Sequence, residues 1–380
     1  MTNLSIGYSV NKLKEQKQII TICIDGFDPE YFDYIDTPNI NKLIQKGFYK
    51  IAKSMWPSVT NVNNVSIITG EYPNKHGICS NYRYDNKTNE EIYMESNEYI
   101  LCPTIFNRTK IKGITTLIAT SKDKLRTLLS KDATYIISSE KPNTWLIDKL
   151  GKPPPIYSIE INSWTIDAAR YAIEKYKPQF TYITTTDFAM HKFPINSQES
   201  NLHFKMIDES IGKLFNQCSN ATFFLTADHG MSNKTRLVDL GNILKRNNIN
   251  NHAVPIIKDK YIIHHSNLGG AYIIYLDNSK IQESLTILNN TEGVDIAISS
   301  NQACQKYKLY SERIGQIIVS GKKDTVFGNS SEINLPDNLR SHGSEHEMNI
   351  PLIGYNLNNP DFVFNENKDI GNYIINEFKI

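Results

Sequence analysis

Nowhere in this sequence do apolar residues run on for the length that a membrane-spanning helix requires, which excludes a spanning segment. The first eighteen residues carry Lys12, Lys14, Glu15 and Lys17 and lack the unbroken apolar stretch of a secretory signal, so a soluble, unexported protein is expected. Cysteine is scarce. The five present, Cys23, Cys79, Cys102, Cys218 and Cys304, are odd in number and scattered, with no Cys-x-x-Cys pair. That argues against a disulfide framework and a zinc ribbon, and points to the reducing cytoplasm. An excess of one charge is also missing: 41 Lys and Arg face 40 Asp and Glu, a formal net charge of +1. Neither nucleic acid nor an anionic membrane surface is therefore an expected partner, and any anion the chain binds must be held locally. There is no internal repeat and no low-complexity tract; Lys152 to Pro155 reads as a short rigid connection.

At 380 residues the chain has room for a large core with a smaller satellite domain. Short β-branched runs that end abruptly in polar residues alternate with stretches of helical period, the pattern of an α/β fold with a mostly parallel central sheet flanked by helices. The runs are Gln18 to Ile24, Gly113 to Ala119, Phe180 to Thr185 and Ala221 to Leu225. Helices are expected over Thr37 to Gln45, from Asp123 to Leu129 and over Ile166 to Tyr176. After Pro255 a new set of segments begins, Gly270 to Leu276, Ile281 to Asn289, Asp295 to Ser299 and Gln316 to Ser320. These suggest a small inserted α/β cap. The expected division is a core over residues 1–254, a cap over 255–335 and a return to the core over 336–380.

Chemistry-bearing residues stand where the core runs end. The first leads into Asp25-Gly26, the third into Asp187 with His191 four residues on, and the fourth into Asp228-His229-Gly230. Strand C-termini of an open parallel sheet share one edge, and ligands bind in the crevice there, so these residues should meet. Carboxylates and imidazoles together suit a divalent cation such as Zn²⁺, and Asp187 and His191 can face the same way on one helical turn. With His342 there are three aspartates and three histidines, too many donors for one tetrahedral ion and enough for two. Paired ions can clamp the attacking and leaving atoms of an in-line displacement at phosphorus.

Trp56-Pro57-Ser58-Val59-Thr60-Asn61 offers a hydroxyl, Thr60, in a Pro-led turn before a helix-like run from Asn63 to Thr69. Metal coordination lowers the pKa of such a hydroxyl, which makes Thr60 the candidate nucleophile. The N–H groups at the start of that helix suit a phosphate oxygen. Ser121-Lys122-Asp123-Lys124, after the run ending near Thr120, delivers two lysines to the same edge, where they suit a second anionic group on the substrate. Each residue taken singly has a plainer explanation: Asp25-Gly26 as a turn, Asp187 and Thr60 as helix starts, the lysines as a solvated face. It is their joint occurrence that points to a site.

These residues, with Pro29-Glu30-Tyr31, Asn61-Val62-Asn63-Asn64, His76-Gly77-Ile78-Cys79, Asn81-Tyr82, Pro103-Thr104-Ile105-Phe106, Ser138-Ser139-Glu140, His264-His265 and Arg340-Ser341-His342-Gly343, resemble the alkaline phosphatase superfamily. The similarity runs over almost the whole chain. It lies with the nucleotide pyrophosphatase/phosphodiesterase branch and, through Asn-Val-Asn-Asn and the lysine pair, with its phosphonoacetate hydrolases. The resemblance implies an alkaline phosphatase-like core and two Zn²⁺, one held by Asp187, His191 and His342, the other by Asp25, Thr60, Asp228 and His229. It further implies that Asn81 donates to a phosphonyl oxygen and that Lys122 and Lys124 bind a substrate carboxylate. The implied reaction is hydrolysis of the C–P bond of phosphonoacetate to acetate and phosphate through a phosphothreonine. His264-His265 is expected outside the ligand set, and the valines at 59 and 62 depart from the residues commoner beside the nucleophile. Mn²⁺ or Fe²⁺ fits the same donors. The expected partner is a small phosphonate, and a homodimer is compatible with the sequence. The rival readings are a phosphodiesterase or nucleotide pyrophosphatase on the same fold, and a metal-binding protein without activity.

Overall fold

The structure is a computed structural model that describes residues 17–258, 265–329 and 335–380; His264 and the residues before Lys17 lie outside the described part. Strands β1 (Ile19–Cys23), β2 (Phe48–Lys53), β3 (Thr116–Thr120), β4 (Tyr135–Ser138), β5 (Phe180–Thr184), β6 (Thr222–Thr226) and β7 (Asn349–Tyr355) form a seven-stranded sheet in the order β2-β7-β6-β1-β5-β3-β4. From β6 to β4 all neighbours are parallel, whereas β7 lies antiparallel between β6 and β2. Every residue of β1, β3, β5 and β6 is buried. Covered on both faces, these strands read as continuous β-branched and apolar runs with no alternation, which is why the sequence exposes them so clearly.

Their ends are flush. Cys23 pairs with Thr184 on one side and Thr226 on the other, and Thr184 pairs with Thr120. The chain leaves all four strands at one rim, where Asp25, Lys122, Asp187 and Asp228 follow within a few residues.

Around the sheet lie α1 (Pro38–Lys46), α2 (Thr60–Thr69), α3 (Asp123–Leu129), α4 (Ile161–Tyr176), α5 (Phe188–Lys192), α6 (Gln198–Gln217) and α7 (Lys368–Phe378). Helix α3 has the expected bounds and α1 is shifted by one residue. Helix α4 starts five residues earlier than its apolar period suggests, at Ile161, because Asn162, Ser163 and Thr165 interrupt the apolar pattern yet are buried. Helix α2 begins at Thr60 itself, not at Asn63, and all ten of its residues are buried although six are Asn, Ser or Thr. The twenty-residue α6 is not announced by the sequence: His203, Asp208 and Ser210 lie among the apolar residues of its buried face and obscure the stripe.

A second, wholly antiparallel sheet contains Asn251–Pro255, Ala271–Leu276, Ile317–Gly321 and Val294–Ser299 in that spatial order. Helix Ile281–Asn289 packs on it. Three of its strands and this helix fall within a residue of the expected segments. The strand Asn251–Pro255, too polar to stand out, pairs with Ala271–Leu276 from before the boundary drawn at residue 255. The sheet has its own apolar cluster around Leu240, Leu244, Ile274, Leu288 and Phe327, while Ile256, Ile257, Ile273 and Ile318 join the main core.

Helix α7 packs against α2, the helix that starts with Thr60, through a close approach at Gly371. A Cβ there would stand 2.2 Å from the Ile67 carbonyl oxygen and 2.8 Å from the Gly70 nitrogen. Alanine gains about 1 kcal/mol of helix propensity over glycine, but the atoms it meets are backbone and cannot turn aside, so overpacking dominates. Gly371→Ala is expected to destabilise the protein by about 2 kcal/mol, read as a lowered midpoint in urea denaturation.

Candidate active site

The rim gathers the predicted donors into one buried cluster. Asp25, Asp187, His191, Asp228, His229 and His342 are each no more than 2% exposed, and so is Thr60. His229 Nε2 lies 3.3 Å from Asp25 Oδ1, 3.7 Å from Asp228 Oδ2 and 3.4 Å from Thr60 Oγ1. Asp187 Oδ2 lies 2.9 Å from His191 Nε2 and 3.6 Å from His342 Nε2. Two adjoining groups result, and the rings of His229 and His342 stack between them with centroids 3.5 Å apart. Ligand atoms of Asp25, Asp228 and His229 lie within 4.8 Å of one another, and so do those of Asp187, His229 and His342, a trio that takes in His229 where His191 was expected.

The chemistry of this donor set fits divalent cations. His191 Nδ1 donates to the Arg340 carbonyl at 2.6 Å, His342 Nδ1 to the Ser58 carbonyl at 2.7 Å and His229 Nδ1 to the Gly230 carbonyl at 2.9 Å. A carbonyl only accepts, so each ring carries its proton on Nδ1 and turns Nε2 toward the carboxylates. This is how metal-binding histidines are commonly oriented. Asp25 Oδ1 is buried without a hydrogen-bond partner among the described residues. Lone pairs converging on carboxylate oxygens call for positive charge between them.

The charge balance says the same. Burial and the neighbouring Asp187 push the Asp25 carboxyl up, but Lys122 and His229 outweigh them and hold it below its ordinary value. Asp228 goes the other way, raised by burial and then by Asp25. Burial lowers the His229 imidazole, yet the Asp228 and Asp25 carboxylates win and lift it to about 9. His342, buried and beside His229, falls to about 3.

Lys122, the N-cap of α3, extends its ammonium into the cluster itself, 2.7 Å from Asp25 Oδ2 and 2.7 Å from Asp187 Oδ1. It thereby touches one carboxylate of each group. Lys124 stands half-buried in the first turn of α3. Asn81 Oδ1 accepts the Asn61 N–H at 3.0 Å, which occupies one of the free donors at the start of α2 and fixes the asparagine so that Nδ2 is its remaining donor. His265 is buried with its ring 5.7 Å from that of His191.

The Asn-rich stretch explains how a polar helix is buried here. Asn63 accepts the Met55 N–H and donates to the carbonyls of Met55, Pro57 and Val59, holding the turn that precedes Thr60. Asn64 donates to Asp228 Oδ2 at 3.3 Å and accepts from the Tyr182 hydroxyl at 2.7 Å. Asn61 donates to the Met94 carbonyl. Gly26, with φ of 73°, turns its N–H onto Asp228 Oδ1 at 3.1 Å, a conformation that side chains disfavour.

A seven-stranded, mostly parallel sheet with two carboxylate and imidazole groups at its carboxyl rim defines an alkaline phosphatase-like α/β protein. The family model for type I phosphodiesterase / nucleotide pyrophosphatase matches residues 19–345. The chain belongs to that family, whose members are hydrolases of phosphorus-containing bonds. Crystal structures of phosphonoacetate hydrolase from Sinorhizobium meliloti, in complexes with phosphonoformate and with phosphonoacetate, are 29% identical to it, cover 95% of each chain and superimpose with TM-scores of 0.85 and 0.86. Human ectonucleotide pyrophosphatase / phosphodiesterase 5 shares the fold at 16% identity and a TM-score of 0.72, over 96% of this chain and 95% of that one. Venom phosphodiesterase of Macrovipera lebetinus is 30% identical over 237 residues, 57% of this chain but only 26% of that enzyme. The chain thus spans about a quarter of the length of the venom enzymes it matches.

Several supporting residues have roles that the sequence pattern does not assign. Arg340 bonds the Tyr31 hydroxyl and the carbonyls of Met190 and Met231 while its own carbonyl orients His191. Ser58 donates to the Ser344 carbonyl at 2.7 Å and accepts the Gly343 N–H at 3.1 Å, tying the Thr60 turn to the His342 loop. Beneath them Glu347 and Lys234 form an ion pair, 2.9 Å apart, whose side chains are fully buried. Glu347 also accepts from Ser232, from the Ser344 hydroxyl and N–H, and, through its carbonyl, from the Gly230 N–H.

Burial raises the Glu347 carboxyl, but Lys234 and the two serine hydroxyls outweigh it and hold it at about 2. A carboxyl depressed in this way contributes stability that is complete above its ordinary value of 4.5 and is lost as pH falls toward about 2. Glu347→Gln leaves Lys234 buried without its counter-charge and is expected to lose about 3 kcal/mol at neutral pH. Denaturation at neutral pH and again at about pH 3.5 should show the gap between the variant and the wild type narrowing in acid.

Proposed function

We propose that this chain hydrolyses the C–P bond of phosphonoacetate to acetate and phosphate, with Thr60 as nucleophile and a phosphothreonine intermediate. The observation that carries this reading is an ammonium, that of Lys122, inside the same cluster as the candidate nucleophile. Lys122 Nζ is 2.7 Å from Asp25, whose other oxygen is 3.3 Å from the His229 nitrogen that lies 3.4 Å from Thr60 Oγ1. In this structure Asp25 and Asp187 hold that ammonium; divalent cations on those carboxylates would leave it a further anion to pair with, which phosphonoacetate has and a simple phosphate monoester lacks. The 29% identity to phosphonoacetate hydrolase over 95% of both chains supports the same substrate.

Thr60 opens a ten-residue helix, so its hydroxyl stands where the helix dipole favours an incoming anion. Asn81 Nδ2, held in orientation by Asn61, donates to a phosphonyl oxygen. Thr60 gives up its hydroxyl proton to water as Oγ attacks phosphorus in line and the C–P bond breaks; the electron pair leaves on the acetate carbon as an enolate-like carbanion, which takes that proton back from water. The developing charge spreads onto the carboxylate, where Lys122 and Lys124 stabilise it. Water then attacks phosphorus, releasing phosphate and restoring the Thr60 hydroxyl. Asp187, His191 and His342 would hold one divalent cation and Asp25, Thr60, Asp228 and His229 the other; zinc suits these donors, with Mn²⁺ or Fe²⁺ as substitutes. When bound, the pair supplies Lewis acidity and lowers the pKa of a coordinated hydroxyl.

On this reading residues 255–335 form a cap on a core made by 1–254 and 336–380. The five cysteines are free, and among the described residues no helix is long and apolar enough to cross a membrane. A reducing cytoplasmic setting agrees with the free thiols. Family membership favours a second substrate class, phosphodiesters and nucleotides, acted on by the same nucleophile.

Purified protein supplied with zinc is expected to release phosphate and acetate in equal amounts from phosphonoacetate, and chelation to stop it. Thr60→Ala should abolish turnover; hydrolysis of p-nitrophenyl phosphate esters with none of phosphonoacetate would move the assignment to the phosphodiesterase class. Lys122→Ala should raise KM for phosphonoacetate about tenfold or more while changing KM for a carboxylate-free ester much less.

A further inference from the structure

Under the carboxyl rim lies a buried polar layer that neither metal donors nor substrate contacts account for. Asn162, in the first turn of α4, is fully buried. Its Nδ2 donates to the Thr186 carbonyl at 2.7 Å, and its Oδ1 accepts the Thr186 N–H at 2.9 Å and the Ser121 hydroxyl at 3.2 Å. His203 donates from Nδ1 to the Ile159 carbonyl, which leaves its Nε2, 3.4 Å from Asn162 Nδ2, to accept. One turn along α4 the Thr165 hydroxyl meets those of Ser121 and Ser139, each at 2.7 Å.

Thr186 immediately precedes Asp187, and Ser121 immediately precedes Lys122. One amide therefore grips the backbone next to a carboxylate of the cluster and the residue next to the ammonium that touches that carboxylate at 2.7 Å. Apolar packing would seat α4 on the sheet equally well. It would not read both backbone polar groups of a single residue, and buried polar groups are tolerated only when paired in this way.

We propose that Asn162, with Ser121, is a positioning residue for substrate selection, setting the separation between the place that holds phosphorus and the place that holds the substrate carboxylate. This rests on the phosphonoacetate reading of the site. In phosphonoacetate a single methylene joins the two anionic groups, so the span between their binding groups has little tolerance. An ester without a carboxylate does not use the span at all.

The test compares wild type, Asn162→Ala and Ser121→Ala, each loaded with zinc. The expected result is a fall of about tenfold in kcat/KM for phosphonoacetate relative to p-nitrophenyl phosphate, since small misplacements of binding groups have effects of this order. Calorimetry should show affinity for phosphonoformate falling relative to that for inorganic phosphate. Ser121→Ala removes one hydroxyl and keeps the grip on Thr186, so it carries the test if Asn162→Ala does not fold. Equal losses on both substrates and both ligands, or no loss, overturn the proposal. Wild-type protein that turns over phosphate esters but not phosphonoacetate overturns the functional reading on which it rests, and is told apart because it needs no variant.

Discussion

Three carboxylates that share one buried rim set the terms for the rest of this structure. Asp25, Asp187 and Asp228 are almost completely buried and close enough to repel one another. Such a group survives only if cations and hydrogen-bond donors surround it. The fold meets that demand with the Lys122 ammonium, with backbone N–H groups from Gly26 and His229 onto Asp228, and with three imidazoles that donate from Nδ1 to backbone carbonyls. What remains at the centre is a set of lone pairs suited to divalent cations.

The nucleophile belongs to the same electrostatic unit. Thr60 begins a helix whose Val62, Val65, Ile67 and Ile68 enter the main core, and Asn61, Asn63 and Asn64 add bonds to Met94, to the preceding turn and to Asp228. Ser58 extends that chain to the loop carrying His342, and Glu347 with Lys234 extends it to the loop after Asp228. Segments more than a hundred residues apart are thus joined in one hydrogen-bonded network. Cross-linking of this kind suits in-line displacement, where the attacking oxygen and the charge-stabilising groups must already be in place.

Much of the architecture is legible in the residue pattern because the parallel strands are buried on both faces, so that Ile19 to Cys23 or Thr222 to Thr226 stands out from its polar flanks. The elements that escape notice are those whose burial depends on paired polar groups. The first turn of α4, the start of α2 and the whole of α6 bury Asn, Ser, Thr, His and Asp against one another, and no apolar period records that. Strand β7 is interrupted by Pro351 and Gly354 and the strand Asn251–Pro255 is polar, and both are defined by their partners more than by their own composition.

The candidate donors are named from the sequence alone. Aspartates placed just after strand-like runs, histidines beside them and a hydroxyl ahead of a helix are local features, and chain direction in a parallel sheet dictates that they share an edge. Only the tertiary structure decided which histidine faces which carboxylate, that Lys122 enters the cluster between Asp25 and Asp187, and that Asn162, Ser58, Arg340 and Glu347 hold the parts in register. Those relations run through hydrogen bonds between residues far apart in the chain, and a linear pattern carries no information about orientation in space.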